Sequence, residues 1–300
     1  MQPGPRRLGK TDLVVGPLAY GLWRFAGGSV AAARAKVEAA LEVGMTLLDN
    51  ADIYGDEGAS ESLLGRVFAE APELRERTLV ATKCGIVPGV PYDSSAEHIK
   101  SACEASLRRL GIECIDLFQI HRPDWLSHPS EVAEALAELR QAGRIREVGV
   151  SNYSAEQFEA LQAHLPFAVA THQPEWSAIC LDPLRDGVAD QCMRRGVTPL
   201  AWSPLAGGEL GLAREEARGR PGGVRLAAVI ETLDRLASRE GVSRAAVALA
   251  FVGVHPSGPI PIVGSQRVER IRDAATALQV RMSRSDWYAV VEAARGSPLP

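Results

Sequence analysis

Apolar runs that end on a chemically capable polar residue recur along this chain, and that recurrence narrows its possible folds more than any other feature. T-L-L-D ends at Asp49, L-V-A-T-K at Lys83, L-F-Q-I-H at His121 and V-G-V-S-N at Ser151 and Asn152. A-T-H-Q ends at Gln173, and P-L-A-W-S at Trp202 and Ser203. Short apolar strands that alternate with helical segments belong to parallel sheets, and a functional group at each C-terminal tip belongs to a barrel whose one rim carries the active site.

The spacing predicts strands at Thr46–Asp49, Leu79–Thr82, Ile115–Ile120, Val148–Val150, Phe167–Thr171, Thr198–Ala201 and Pro259–Ile262, and another through Leu18 toward Gly21. Helical stripes separate them: Val37, Ala40 and Leu41; Leu63, Leu64, Val67 and Phe68; Ile99, Cys103, Leu107 and Leu110; Val132, Leu136 and Leu139; Phe158, Leu161 and Leu165; Leu184, Val188 and Cys192. Start signals fit them. Ser29 and Ser60 are candidate caps, and Ser94 with Glu97 and Ser154 with Gln157 make capping-box patterns. Gly44, Gly111 and Gly143 stand where helices should stop. Arg6–Leu8 and Leu13–Val15 flank a turn-forming G-K-T-D and predict an N-terminal β-hairpin. The Gly-rich stretch Leu205–Gly223 reads as a long functional loop, followed by helices around Val229–Leu236 and Val247–Phe251, then around Ile271 and Trp287. The expectation is an α/β fold, a (β/α)8 TIM barrel with extra helices, as a single domain over residues 1–300.

Composition limits the function. Net charge is −4, which leaves no basic field for nucleic acid or an anionic membrane. The five cysteines are scattered without a C-x-x-C pair, and the six histidines lack ligand spacing, so neither a disulfide framework nor a metal is expected. The opening M-Q-P-G-P-R-R-L-G-K has no apolar core, and no run reaches the ~20 residues of a membrane span. A cytoplasmic location follows as an expectation.

In a barrel the tips of consecutive strands converge, so Asp49, Tyr54, Lys83 and His121 should meet. Singly, each has an ordinary reading: a turn aspartate, a loop aromatic, a solvated rim lysine, a core histidine. Together they suggest a proton donor. A phenol with a pKa of ~10 is a poor acid near neutrality, and a nearby ammonium favours its phenolate. Asp49 would hold Lys83, and His121 would orient a carbonyl. None of the four carries a hydride, and no G-x-G-x-x-G follows a strand, which argues against a Rossmann site.

The segments L-G-K-T-D-L-V-V, G-L-W (Gly21–Trp23), D-N-A-D-I-Y-G (Asp49–Gly55), T-K (Thr82–Lys83), I-H-R-P-D (Ile120–Asp124), G-V-S-N-Y (Gly149–Tyr153), W-S-P-L-A-G-G (Trp202–Gly208) and P-I-V-G-S (Pro261–Ser265) together resemble the aldo-keto reductase superfamily, closest to the bacterial YdhF-like oxidoreductases. The resemblance covers essentially the whole chain. It implies an NADP(H)-dependent reductase of aldehydes and ketones, with Asp49, Tyr54, Lys83 and His121 as catalytic tetrad and Tyr54 as general acid. It implies cofactor contacts from Gly21, Leu22, Trp23 and Asp49. Ser151, Asn152 and Gln173 would bind the carboxamide, and Trp202 would stack on the nicotinamide where many relatives have Tyr. Ser203, Pro204, Leu205 and Gly207 would line the pyrophosphate, and Gly264, Ser265, Gln266, Arg267, Arg270 and Asp273 the adenosine end. There, relatives carry Glu-Asn where this chain has Asp273-Ala274, so one adenine contact is expected to be missing. Arg267 and Arg270 favour NADP(H) over NAD(H), since guanidinium pairs well with phosphate.

The substrate pocket is expected to involve Trp23, Tyr54, His121 and Trp125, with Trp176 as a further candidate, around a small-molecule carbonyl. Cys84, beside Lys83, reads as a small strand residue rather than a reactive thiol. Two alternatives stay open: a nicotinamide-sensing subunit with little turnover, and a barrel lyase or isomerase that uses Lys83 as a Schiff base, which leaves Trp202 and Gln173 unexplained.

Overall fold

A computed structural model describes residues 4–300 of the chain; Met1–Pro3, part of the segment read above for a leader, lie outside them. A hairpin of β1 (Arg6–Arg7) and β2 (Val14–Val15) opens it. Eight strands then alternate with helices: β3 (Ala19–Gly21), α1 (Val30–Glu42), β4 (Leu47–Asp49), α2 (Ala59–Glu70), α3 (Pro72–Glu76), β5 (Leu79–Cys84), α4 (Ala96–Leu110), β6 (Ile115–Ile120), α5 (Pro129–Gln141), β7 (Ile145–Ser151), α6 (Ala155–Gln162), β8 (Thr171–Gln173), α7 (Val188–Arg195), β9 (Thr198–Ala201), α8 (Arg214–Arg218), α9 (Gly223–Glu240), α10 (Arg244–Gly253), β10 (Ile260–Val263), α11 (Val268–Asp273) and α12 (Arg284–Arg295). Strands β3 to β10 pair in parallel and close as a barrel, with β10 returning to β3. The expected (β/α)8 barrel is therefore present, with the hairpin and additional helices; α9 and α12 pack against each other.

Strand alternation sorts the core into two shells. Outward residues such as Leu48, Val80, Phe118, Val148 and Val150 meet the helices. Inward residues Ala19, Leu47, Ala81, Leu117, Leu200 and Ile262 join Leu8, Leu13 and Val15 of the hairpin, which stopper the barrel's N-terminal end. Two residues further along the same inward face stand Asp49, Lys83 and Gln119. The interior thus changes from apolar to polar toward its C-terminal rim.

Several boundaries differ from the sequence expectation, each for a visible reason. Gly58, left-handed at φ +85°, precedes α2, and Ser60 lies inside the helix, where its hydroxyl donates to the Leu22 carbonyl at 2.9 Å. Ser95, not Ser94, caps α4, taking the His98 N–H at 3.3 Å, because Asp124 draws the Ser94 amide to itself at 2.9 Å. The strand expected at Phe167–Thr171 begins only at Thr171: the Gln162 side chain occupies the Phe167 carbonyl and the Val169 amide. Leu184 sits in a separate 3-10 turn, cut from α7 by left-handed Gly187. The stretch Leu205–Gly223 is more ordered than a plain loop, with a 3-10 turn at Ala206–Gly211 before α8. The Ser154–Gln157 capping box forms as expected.

One glycine sets a helix distance. A Cβ at Gly65 of α2 would stand 2.3 Å from the Arg109 carbonyl of α4, so only glycine allows this approach. That approach brings buried Glu61 against Arg109, at 2.7 Å, and against the Thr82 hydroxyl on the outer face of β5.

Candidate active site

The parallel strands deliver the expected residues to one rim. Asp49 ends β4, Lys83 lies in β5, His121 follows β6, Ser151 ends β7, Gln173 ends β8, and Trp202 follows β9. Tyr54 comes from the turn after β4, its backbone fixed by Tyr54 N–H to Ala51 and Ser60 N–H to Tyr54.

Lys83 is fully buried and donates from Nζ to Asp49 Oδ2 at 2.8 Å, to the Asn50 carbonyl at 2.8 Å and to the Tyr54 hydroxyl at 3.4 Å. The His121 ring meets the Tyr54 ring edge-on, with centroids 5.8 Å apart. All four expected tetrad members therefore come together. Burial presses on Lys83 to lose its proton, but Asp49 and Tyr54 outweigh it and leave the ammonium raised above its ordinary pKa. Burial, with Lys83 and Arg122 adding to it, holds His121 well below the usual imidazole range, so it is neutral near pH 7. Tyr54 departs from the sequence expectation. Lys83 does pull the phenol down, but burial pushes it up more strongly, and the balance lies above the ordinary tyrosine value.

The residues expected at the nicotinamide end form a chain of their own. The Trp202 indole N–H donates to Asn152 Oδ1 at 2.9 Å. Asn152, left-handed at φ +59°, passes its amide hydrogens to Ser151 Oγ at 2.8 Å and the His121 carbonyl at 3.1 Å. Ser151 donates to the Gln173 carbonyl at 2.9 Å, and Gln173 Nε2 donates to Asp49 Oδ1 at 2.9 Å. The residues expected to hold a cofactor and those expected to move a proton thus share one hydrogen-bond network.

The remaining expected residues are more dispersed. Gly21 ends β3, and the Leu22 amide bonds the Asp49 carbonyl at 2.9 Å. Trp23 is 58% exposed, with the Arg24 guanidinium 4.9 Å over its ring, and Trp125 is 85% exposed. Trp176 is instead fully buried against His255, centroids 5.0 Å apart, and serves packing. Ser203 and Gly207 lie in the loop after β9 with positive φ, and Pro204 and Leu205 lie between them. Gly264, Ser265 and Gln266 follow β10; the Tyr20 hydroxyl donates to the Ser265 carbonyl at 3.2 Å. Arg267 and Arg270 are exposed. Asp273 accepts from Ser243 at 2.6 Å, which ties it to the start of α10. Cys84 is buried, and burial raises its thiol well above the reactive range, in keeping with an inert strand residue.

Some neighbours escaped the sequence reading. Gln119 Nε2 reaches Asp49 Oδ1 at 3.4 Å, and Thr171 donates to Gln119 Oε1 at 3.1 Å. Each lies two positions before a recognised tip residue, and a period-two count back from His121 and Gln173 would have found them. Lys36 of α1 donates to Gln266 Oε1 at 2.9 Å. Asp52 carries a buried, unpartnered Oδ1; burial and Glu61 together raise its carboxyl to about 7.

The model of the aldo/keto reductase family matches residues 17–295. The chain belongs to this family. Among curated aldo/keto reductase relatives, a 6-dehydroglucose reductase from Novosphingobium aromaticivorans is 46% identical over 307 residues, spanning 100% of this chain and 98% of the relative. Oxidoreductase YdhF of Escherichia coli is 37% identical over 93% of this chain and 94% of its own length. The expected special kinship with YdhF is thus corrected: the Novosphingobium reductase is the more similar of the two. Among solved structures, a glycerol dehydrogenase from Gluconobacter oxydans aligns with a TM-score of 0.86 at 28% identity, over 100% of this chain and 98% of its own. As a family member this protein is an oxidoreductase of the carbonyl and CH–OH type. Among the described residues no helix is long and apolar enough to cross a membrane.

Proposed function

We propose that the protein reduces an aldehyde or ketone with NADPH as the reductant and Tyr54 as the proton donor. The observation that carries this reading is the single contact set Asp49–Lys83–Tyr54, with the lysine fully buried between a carboxylate and a phenol. A buried, charged lysine beside a half-buried tyrosine is a costly arrangement with an evident chemical use.

The side chains on the rim fit a nicotinamide dinucleotide. Trp202 offers a flat ring held by its own N–H, and Gln173 keeps its amide oxygen free of the Asp49 contact. Arg270 makes no ion pair among the described residues, and Arg267 reaches only Glu269, at 4.0 Å, so both remain available to a phosphate. NADPH, once bound, supplies the hydride. Ser151, Asn152, Gln173 and Trp202 would hold its nicotinamide end, Ser203, Pro204, Leu205 and Gly207 its pyrophosphate, and Gly264–Arg267 with Arg270 its adenosine; Asp273 would join them only by leaving Ser243.

Tyr54 hands its hydroxyl proton to the oxygen that becomes the alcohol. Its raised pKa keeps that proton in place until the oxygen turns basic. Lys83, 3.4 Å away, then steadies the phenolate, and Asp49 holds Lys83 in line. His121 is neutral, so it can orient the carbonyl oxygen by a hydrogen bond without adding a second cation.

The substrate we favour is a sugar-like aldehyde. Two relatives, 46% and 38% identical, bear the name 6-dehydroglucose reductase. The exposed rings of Trp23 and Trp125 suit the C–H surface of a sugar ring, with Arg122 and Glu175 nearby in sequence to the rim tips as polar partners. The test is twofold. Tyr54→Phe should retain NADPH affinity and lose about 10²–10⁴-fold of turnover. Wild-type enzyme should reduce 6-dehydroglucose with a higher kcat/KM than 4-nitrobenzaldehyde. A Tyr54→Phe variant at full rate would remove the proton-donor assignment, and a preference for the aromatic aldehyde would remove the sugar.

A further inference from the structure

The inner face of the barrel holds two further polar side chains beside the tetrad, Gln119 level with Lys83 and Thr171 two residues before Gln173, and no part of the reaction described above uses them. Gln119 is fully buried, as is Thr171. The Gln119 carboxamide has two ends in different surroundings. Its oxygen accepts from the Thr171 hydroxyl at 3.1 Å, and its nitrogen reaches Asp49 Oδ1 at 3.4 Å. The opposite flip would turn the amide oxygen toward a carboxylate, oxygen against oxygen, and leave the buried NH2 against a hydroxyl. Asp49, which can only accept, therefore sets the orientation of Gln119, and Thr171, whose hydroxyl can donate or accept, anchors the other end of the amide.

The space for this pair is provided by a glycine. Gly149 lies on the same inward face of β7 as Ser151, two residues before it. A Cβ there would stand 2.1 Å from Thr171 Oγ1 and 2.9 Å from Gln119 Cγ. Any other residue would push both side chains out of register. The local sequence thus keeps a buried amide in the barrel, where an aliphatic side chain would fill the volume at less desolvation cost.

The two oxygens of Asp49 are divided between two tasks. Oδ2 accepts from Lys83, while Oδ1 accepts from Gln173 and Gln119. A carboxylate held on one oxygen only can swing about its Cβ–Cγ bond. Donors on Oδ1 stop that swing, so that Oδ2 stays aimed at the ammonium that serves Tyr54. We propose that Gln119, anchored by Thr171 and accommodated by Gly149, is a positioning residue that locks the Asp49 carboxylate for proton donation by Tyr54. This rests on the proton-donor reading of Tyr54 given above.

The inference differs from a plain packing role in what it predicts. Gln119→Leu keeps volume and removes the donor. With NADPH saturating, kcat should fall about tenfold, the lower end of what one hydrogen bond to a charged group contributes. The dissociation constant for NADPH, read by fluorescence titration, should stay within about twofold, because Gln173 and Trp202 keep their contacts. Gln119→Glu gives the sharper reading. A carboxyl buried beside Asp49 has its pKa raised by both burial and like charge. While protonated it donates to Asp49 Oδ1 as the amide did, and once ionised it repels Asp49. Activity of Gln119→Glu should therefore be near wild type at the acid end and decline as pH rises through the ionisation of the introduced carboxyl, a limb the wild-type profile lacks. Thr171→Val should give a smaller loss in kcat, since the amide keeps its donor on Asp49 but loses the anchor on its oxygen.

Wild-type kcat in Gln119→Leu, a Gln119→Glu profile that superimposes on wild type, or an NADPH affinity that falls in step with kcat would each overturn the proposal. Tyr54→Phe, assayed alongside, separates the two readings: full turnover there would overturn the proton-donor assignment itself, while an inactive Tyr54→Phe with an unaltered Gln119→Leu would remove only the role of Gln119.

Discussion

Gln173 donates its side-chain amide to Asp49 at 2.9 Å, so a residue proposed to hold the cofactor reaches directly into the proposed tetrad. A side chain that only gripped the carboxamide would affect affinity alone. One that also steadies Asp49 should affect both quantities. Gln173→Leu is expected to weaken NADPH binding and, with cofactor saturating, still to lower kcat about tenfold, the worth of a hydrogen bond to a charged group. Titration of NADPH followed by steady-state assay at saturation separates the two. Wild-type kcat with weakened binding would make the Asp49 contact incidental.

Lys83 is the only cation that contacts Asp49 among the described residues, and both are almost completely shielded from water. Removing one member of a buried pair leaves the other charge uncompensated. Lys83→Met should therefore destabilise the fold by about 3–5 kcal/mol, seen as a lower urea midpoint. The double variant Asp49→Asn/Lys83→Met should recover much of that loss while remaining inactive. If the single and double variants unfold at the same midpoint, the cost lies in packing around Lys83 and not in the stranded carboxylate.

The barrel was legible because its strands repeat one grammar, an apolar run and a polar tip, and because Gly111, Gly143 and the Ser154–Gln157 box punctuate the helices. The convergence of the proposed tetrad was legible because three of its members are those tips. Gln119 and Thr171 were not, since a glutamine or threonine inside an apolar run looks like a tolerated polar residue until the closed barrel aims it at Asp49. The Tyr54 balance was equally hidden: the sequence offers the lysine that lowers the phenol's pKa, but only the folded chain supplies the burial that raises it further. The β8 boundary failed because a side chain at the end of the preceding helix, Gln162, took the backbone groups that local propensity assigned to a strand.

Asp52 gives the protein a pH dependence of stability. Burial, reinforced by Glu61 and opposed by Arg109, raises its carboxyl from an ordinary ~3.9 in the unfolded chain to about 7 in the folded one. Between those values the native state binds a proton that the unfolded state does not, so stability falls as pH rises through that window and levels off above about 7. Asp52→Asn removes the ionisation. Relative to wild type its stability should be unchanged near pH 4 and higher at pH 8 by on the order of 2 kcal/mol, after allowance for the partial exposure of the site. Urea unfolding at the two pH values checks this, and a difference that is the same at both would show that Asp52 ionises normally.

Trp202 and Asn152 act as a unit, and their coupling can be measured. The indole N–H donates to Asn152 Oδ1 at 2.9 Å, and the Asn152 amide in turn holds the His121 carbonyl at 3.1 Å. Trp202→Phe preserves an aromatic face for stacking but removes the donor. Asn152→Ala removes the acceptor and the link to the strand that carries His121. If the hydrogen bond orients both partners, the two effects on kcat/KM should not add. A double-mutant cycle should return a coupling of about 1 kcal/mol, the usual net worth of such a bond. Trp202→Tyr, whose hydroxyl lies elsewhere on the ring, should behave like Trp202→Phe and not restore the coupling. Simple additivity would mean that Trp202 contributes its ring face alone, and that the bond to Asn152 has no consequence for catalysis.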